Sequence, residues 1–395
     1  MIPAHVTRFT AVSCLGKGLA DTRAALAAQR SGLGPCRFET VELDTCVGEV
    51  AGIDQELLPE DLKPFDCRNN RLALMALRQD GLEHAVRRAA ERHGPERVGV
   101  FIGTSTSGIL QAELAYRRRD VAGALPADFH YATTHNSFSV VAFARQYLGL
   151  EGPAATVSCA CASSAKVFAQ AARMLQAGLI DAALVGGVDS LCLTTLYGFH
   201  SLQLTSKLPC RPFDVSRDGL SIGEAAAFVL LERDAPATAP GLALLGAGES
   251  SDAHHMSSPH PQGLGAQQAM RDALASAGLA AERIDYINLH GTGTPGNDRA
   301  DGLAVNALFD PSMPCSSTKA ATGHALGAAG ALEAVLCLLA LESGIIPAGL
   351  NVQQIDPVLG LKYLTHNLHR PLRYVLSNSF GFGGANCSLI FGKVP

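Results

Sequence analysis

Five residues carry chemical potential beyond packing: Cys161, His290, Lys319, His324 and Glu333. Cys161 follows a β-like run ending in Val157 and Ser158 and opens a stretch of small, helix-forming residues, Ala162–Ala177. A cysteine where a strand hands over to a helix meets unpaired backbone N–H groups and the positive end of the helix dipole. Both favour the nucleophilic thiolate, so a lowered thiol pKa is expected there. The competing reading is a small buried hydrophobe, which is the assignment made for its neighbour Cys159. His290 ends the apolar run Ile284–Leu289 and begins HGTGTPGND, a loop whose Thr292 and Thr294 hydroxyls alternate along extended backbone and suit a binding surface. Lys319 and His324 lie across a glycine-containing turn. Glu333 follows in an Ala-rich helix expected to be buried, where an ammonium and a carboxylate need each other. Near the end, Gly381-Phe382-Gly383-Gly384 permits unusual backbone angles and exposes amide N–H groups.

The elements that must hold these residues read as alternating short β runs and Ala-rich helices. Arg97–Gly103, Ala182–Gly187, Ala225–Leu231, Ile284–Leu289 and Cys387–Gly392 read as strands, and Ala162–Ala177 and Gln267–Ala277 as helices. Such alternation predicts an α/β fold with helices covering the sheet faces. Two halves are expected, because a polar turn opens an Ala-rich helix once from Thr156 and again from Ser317. The Pro- and Ala-rich stretch from Glu232 to Gly241 marks the boundary, giving domains 1–232 and 242–395.

Composition narrows the classes. With 395 residues, 47% hydrophobic and 17% charged, the chain has enough apolar surface for a large core, which excludes disorder as its main state. A net charge of −5 argues against a nucleic-acid binder. The 11 cysteines are scattered with no CxxC pair and no zinc-ligand spacing, so no metal site and a reduced compartment are expected. No signal-peptide-like run opens the chain, and Leu326–Leu341 reads as too short and too interrupted by Glu333 to cross a bilayer. A soluble cytoplasmic protein without a membrane partner is the expectation.

Over nearly its whole length the sequence resembles the elongating β-ketoacyl-[acyl-carrier-protein] synthases, condensing enzymes of the thiolase-like fold. The shared stretches are SGLGP at Ser31, GTSTSG at Gly103, RPFDVSRDGLSIGE at Arg211, SDAHHMSSP at Ser251, HGTGTPGND at His290 and the terminal GFGGAN. The resemblance implies two related βαβ-rich halves packed in five layers (α-β-α-β-α). It assigns Cys161 as acyl acceptor and His290 and His324 as the catalytic histidines. Lys319 and Glu333 are their supporting pair, with Asp298 as a further support. Thr292 and Thr294 would hold a phosphopantetheine arm, Phe382 would be a gate whose amide joins that of Cys161 in an oxyanion hole, and Phe380 and Phe199 would line the substrate site. It implies acyl and malonyl thioesters on an acyl carrier protein as substrates. No cofactor is expected beyond the phosphopantetheine that the carrier brings. A homodimer is implied, or a heterodimer with a synthase-like subunit, its interface built from Ala154–Ser158 and the apolar run near Val140. Carrier docking calls for a basic patch, with Lys63, Arg68 and Arg71, Arg117–Arg119, and Lys207 as candidates. The opening strand, Val6–Val12, reads as shorter and more polar than the family's, and the loop Thr205–Arg211 as shorter. These departures leave fatty-acid against polyene or polyketide elongation open. The alternatives are a thiolase-type CoA-dependent acyltransferase, against which His324 speaks, and a non-catalytic chain-length-factor-like subunit, against which Cys161 speaks.

Overall fold

The computed structural model describes residues 1–234, 239 and 241–394. Half of the expected domain boundary, Glu232–Gly241, therefore lies outside the described residues.

Five strands form the first half: β1 (Ala4–Ser13), β2 (Val98–Gly103), β3 (Ala154–Val157), β4 (Ala182–Asp189) and β5 (Ala225–Glu232). Five more form the second: β6 (Leu242–Ser251), β7 (Tyr286–Asn288), β8 (Pro314–Ser316), β9 (Tyr374–Phe380) and β10 (Ala385–Lys393). Their spatial order is β8-β7-β9-β10-β6-β1-β5-β4-β2-β3, completed by short strands Lys362–Tyr363 beside β8 and Gly16–Lys17 beside β1. Numbered within each half, both sheets run 3-2-4-5-1. In both, strand 2 pairs in parallel with strands 3 and 4, while strands 4, 5 and 1 pair antiparallel. The halves meet where β1 and β6 pair over Ala4↔Leu244 to Val6↔Leu242. The duplication expected from two turn-helix segments is thus plain in topology.

Alternation along the strands explains the layering. In β2, Val98, Val100 and Ile102 enter an outer core with helices α1 (Arg68–Leu77), α2 (Leu82–His93) and α3 (Ser139–Leu148), whereas Phe101 turns inward. The inner core wraps α4 (Ser163–Gln176) and, from the second half, α7 (Ala329–Ser343). A third core packs the second sheet beneath α5 (Leu264–Ala277) and α6 (Pro295–Asn306). This is the five-layer order that the resemblance implied.

Four expectations change. The opening strand is not short: β1 spans 10 residues and most of them are buried, because it is the central strand joining the two sheets. Leu326–Ser343 does pass a length and hydropathy test for a membrane span, with mean hydropathy 1.7; burial of 89% of that window inside the fold accounts for its apolar character instead. Arg68 is no surface charge, since it is buried against Glu224 at 2.7 Å and Asp54 at 3.0 Å. Val140 and Val141 are sealed within the outer core and offer no face to a partner, leaving only β3, half-buried at the sheet edge.

Candidate active site

β3 ends at Val157, and the chain turns sharply into α4. Ala160 adopts φ 53°, a left-handed conformation that costs a non-glycine residue energy and persists only where neighbours hold it. Ser163 supplies the hold: its hydroxyl donates to the Ala160 carbonyl (2.5 Å) and accepts the Cys159 N–H (2.9 Å). The turn aims Cys161 into the interior, 6% exposed. Its position at the mouth of the helix is as expected, but the electrostatic consequence is reversed. Burial pushes the thiol up to about 11; Lys319 and the backbone amides of Phe382 and Cys161 draw it down by less, and Asp189 pushes it further up. Removing water from a thiolate outweighs what the amides and the ammonium return.

The second half brings its residues to the same sulfur. His324 Nε2 lies 3.0 Å from Cys161 Sγ. The backbone of His324 is held on both sides, its N–H donating to Ser221 O (2.7 Å) and its carbonyl accepting from Gly223 (3.0 Å). His290, following β7, places its ring 5.4 Å from that of His324 at 83°. Sγ and one nitrogen of each imidazole lie within 4.8 Å of one another. Burial and the Lys319 charge hold both imidazoles well below their ordinary value, so both are neutral at pH 7. Lys319 donates to the His290 carbonyl (2.5 Å), faces its Nδ1 at 3.4 Å, and is ion-paired with Glu333. An ammonium can only donate, so Nδ1 of His290 is the acceptor and Nε2 carries the proton. His324 Nδ1 has no hydrogen-bond partner among the described residues, leaving either tautomer open to that ring.

These groups floor a cavity of about 260 Å³. Thr292 and Thr294 line it with hydroxyls 2.9 Å apart, on a loop fixed by Asp298, which accepts N–H bonds from Gly293 (3.1 Å) and Phe213 (2.8 Å). Phe380 stands 5.8 Å from the His290 ring and also lines the cavity. Phe382 and Phe199 also line it, their rings in contact with centroids 5.6 Å apart. Gly381 backs the nucleophile: a Cβ there would stand 3.0 Å from the Cys161 nitrogen and 3.1 Å from that of Ala162. The nucleophile, the two histidines and the substrate-binding and supporting residues singled out in the sequence therefore converge on one place.

Others were missed. Asp252 lines the cavity and ties three segments together: it accepts from His260 N–H (2.9 Å) and the Asn386 amide (2.8 Å), while its own N–H donates to Gly384 O (2.9 Å). Its stretch, SDAHHMSSP, had stood out only through resemblance. Asp301, buried and pushed up to about 7 by burial, accepts the Gly291 N–H (2.9 Å) beside His290.

Comparison with known proteins agrees with this geometry. Residues 59–237 match the family model described as beta-ketoacyl synthase, N-terminal domain, and residues 243–353 its C-terminal domain. The chain is 35% identical over 385 residues to Nodulation protein E of Rhizobium meliloti (strain 1021), covering 92% of each chain. It is 30% identical over 413 residues to 3-oxoacyl-[acyl-carrier-protein] synthase 2 of Vibrio cholerae, covering 98% of each. Among solved structures it superposes with TM-score 0.91 and 38% identity on a ketosynthase (ApeO) in complex with its chain length factor (ApeC) from Xenorhabdus doucetiae, over 99% of this chain and 98% of that one. With two matching domains and near full-length relatives, this chain belongs to the β-ketoacyl synthase family and is an acyl-transferring, carbon–carbon bond-forming condensing enzyme.

Proposed function

We propose that Cys161 accepts an acyl group from a carrier-protein thioester and that His290 and His324 then drive decarboxylative condensation with malonyl-carrier protein. The observation that carries this is the Cys161 sulfur, 3.0 Å from His324 Nε2 and faced by the amides of Phe382 and of Cys161 itself.

In the loading step the sulfur attacks the acyl carbonyl. Because the resting thiol is protonated, its proton must leave as the C–S bond forms, and His324 Nε2 is in reach to take it. The tetrahedral oxyanion rests on the two amides, each good donor contributing on the order of 3 kcal/mol. As the carrier's C–S bond breaks, its thiolate departs with the proton from His324. In the second step the malonyl C–C bond to carboxylate breaks and carbon dioxide leaves. The electron pair becomes an enolate whose oxygen accepts from the neutral Nε2–H of His290 and from His324 in its Nε2–H tautomer, reached after loading by exchange of the ring proton from the unpartnered Nδ1 to Nε2. The enolate carbon attacks the acyl carbonyl, and Cys161 leaves as thiolate and regains a proton from solvent. The reaction as written needs charge stabilisation and one mobile proton, and no cofactor other than the carrier's own arm, for which Thr292 and Thr294 are the fitting hydroxyls.

Carrier docking is supported by a cleft of about 470 Å³ that brings Lys63, Arg71 and Arg118 together, joining two of the basic clusters read from sequence. Each already pairs with a carboxylate, Glu60, Asp66 or Asp128, in ion pairs that are partly or fully exposed and weak enough for an acidic partner to exchange. A second synthase-like subunit is supported by the free edge of β3 and by the similar ketosynthase solved with its chain length factor. A monomer by light scattering at micromolar protein would remove that part. The central test is mass spectrometry after incubation with octanoyl-carrier protein. A covalent octanoyl adduct on the peptide holding Cys161, absent in Cys161→Ala, is expected; loading that survives the substitution would show that Cys161 is not the acceptor, and no loading of the wild type would favour a non-catalytic subunit.

A further inference from the structure

Asp189 closes β4 with its carboxylate fully buried, and it collects five donors. Oδ1 accepts from the Thr104 hydroxyl (2.7 Å), Ser105 N–H (2.7 Å), Thr106 N–H (2.8 Å) and the Thr106 hydroxyl (2.9 Å); Oδ2 accepts from Gly327 N–H (2.5 Å). Both hydroxyls in turn accept backbone N–H groups, from Ser107 and Ser190, so their protons point at the carboxylate. Burial pushes this carboxyl above its ordinary value, and the donors on every side oppose that push by favouring the ionised form.

Around it the backbone is strained in three places. Ser107 (φ 43°) follows the first donor loop, Leu326 (φ 49°) precedes Gly327, and Ala160 (φ 53°) has its carbonyl approached by the Ser105 hydroxyl at 3.4 Å. Two of these turns flank the reacting pair: Ala160 precedes Cys161, and Leu326 follows His324 by two residues. They come from opposite halves of the fold, and Asp189 is the side chain that bonds to the His324 side directly and to the Cys161 side through Ser105. Left-handed non-glycine residues persist where surrounding structure over-determines them, and a buried charge with many donors is such a determinant.

We propose that Asp189 is a positioning residue that sets the Cys161–His324 separation by fastening the Leu326–Gly327 turn to the Thr104–Thr106 loop behind the nucleophile. This rests on Cys161 being the acyl acceptor.

Asp189→Asn tests it selectively. The amide oxygen can keep the four donors now on Oδ1, but its NH₂ then faces the Gly327 N–H, donor against donor, so only the link to the His324 side is broken. Loading from an octanoyl-pantetheine thioester should slow by about 10–100-fold at saturation with KM unchanged, as for a misplaced reacting pair. Alkylation of Cys161 by iodoacetamide at pH 8 should instead speed up by about 3–10-fold, because a negative charge beside the thiol is gone while Lys319 remains and His290 and His324 stay neutral. General loosening of the fold would also expose the buried thiol and speed its alkylation, so slower catalysis with faster alkylation supports the proposal in a variant that melts with wild type. Gly327→Ala is the second arm: a methyl there stands 2.8 Å from Asp189 Oδ2 and 2.6 Å from the Ser105 hydroxyl, parting the same contact with the charge kept. It should slow loading without speeding alkylation, and it carries the test if Asp189→Asn does not fold. Loading within about twofold of wild type in either folded variant overturns the proposal, as does a fall in both readouts that tracks the melting temperature. A wild-type protein that never loads an acyl group, yet shows the expected alkylation changes, counts against the acyl-acceptor reading and not against this one.

Discussion

In the first half the chain leaves β3 and reaches α4 through residues 158–162; in the second it leaves β8 and reaches α7 only after residues 317–328. The strand order and the helix direction are shared, yet the short connection delivers one residue, Cys161, and the long one delivers two, Lys319 and His324. The short turn fixes its side chain by backbone strain at Ala160 and the Ser163 hydroxyl. The long one has room for an ammonium, and therefore needs an internal counter-charge, which α7 supplies as Glu333. The flanking elements differ accordingly. α4 keeps an exposed rim where Arg173 meets Glu249, whereas α7 is buried from Ala329 to Leu341. A duplicated scaffold thus places a nucleophile from one copy against proton donors from the other, and the ammonium–carboxylate pair beside the reacting atoms comes wholly from the second copy.

The ion pair of the long connection is where the comparison breaks most easily. Lys319→Met leaves Glu333 buried without a partner, and Glu333 Oε2 already lacks one among the described residues. Removing one member of a buried pair costs about 3–5 kcal/mol, so a large fall in unfolding free energy is expected by denaturant titration. Lys319→Met with Glu333→Gln should recover part of it. A double variant no more stable than the single would mean that the ammonium serves His290 alone.

How much of this was legible beforehand follows the same division. Cys161, His290, Lys319, His324 and Glu333 could be read because each is chemically out of place among small apolar neighbours, and the strand-to-helix handover is a local pattern. Asp189 and Asp252 could not, since what they do depends on donors 85 and 138 residues away in Thr104 and Gly327, or on His260 and Asn386 gathered by the fold. Arg68 failed for the same reason: its partner Glu224 lies 156 residues on. The thiol was misread in sign because the helix terminus is visible in sequence, while the burial that outweighs it is a property of three packed layers.

The two histidines sharpen the comparison at the next level. His324 touches the sulfur and His290 does not, so His324→Ala should depress both acyl loading and malonyl decarboxylation, whereas His290→Ala should depress decarboxylation alone. Loss of one donor to a developing oxyanion is worth about 10²–10³ in rate. Single-turnover loading and carbon dioxide release, measured separately, give the answer. Equal loss of loading in both variants would show that the 3.0 Å contact is incidental to the first half-reaction.

The smallest effect concerns stability against pH, and it separates the halves by sign. An imidazole whose folded pKa lies well below its ordinary 6.5 contributes stability that is present above 6.5 and is lost as pH falls towards the folded value. Between pH 7.5 and 5.5 each such histidine should withdraw about 1.4 kcal/mol, since the unfolded chain gains a proton there that the folded chain refuses. Glu333 and Asp301, both raised to about 7, act in the opposite direction over the same interval, taking up protons in the folded state first. The thiol of the first half, raised from 9.0 to about 11, contributes stability that is complete below 9 and is lost only as pH climbs through 11, so it is silent at the acid end. The net slope mixes these terms, but a difference between variants does not. His290→Gln should therefore flatten the acid-side fall in melting temperature by about 2 °C or less relative to wild type, and Cys161→Ser should leave it unchanged. An acid slope as steep in His290→Gln as in the wild type would mean that the ring protonates within the folded protein, and its neutral Nε2–H could not then be the standing donor to the enolate.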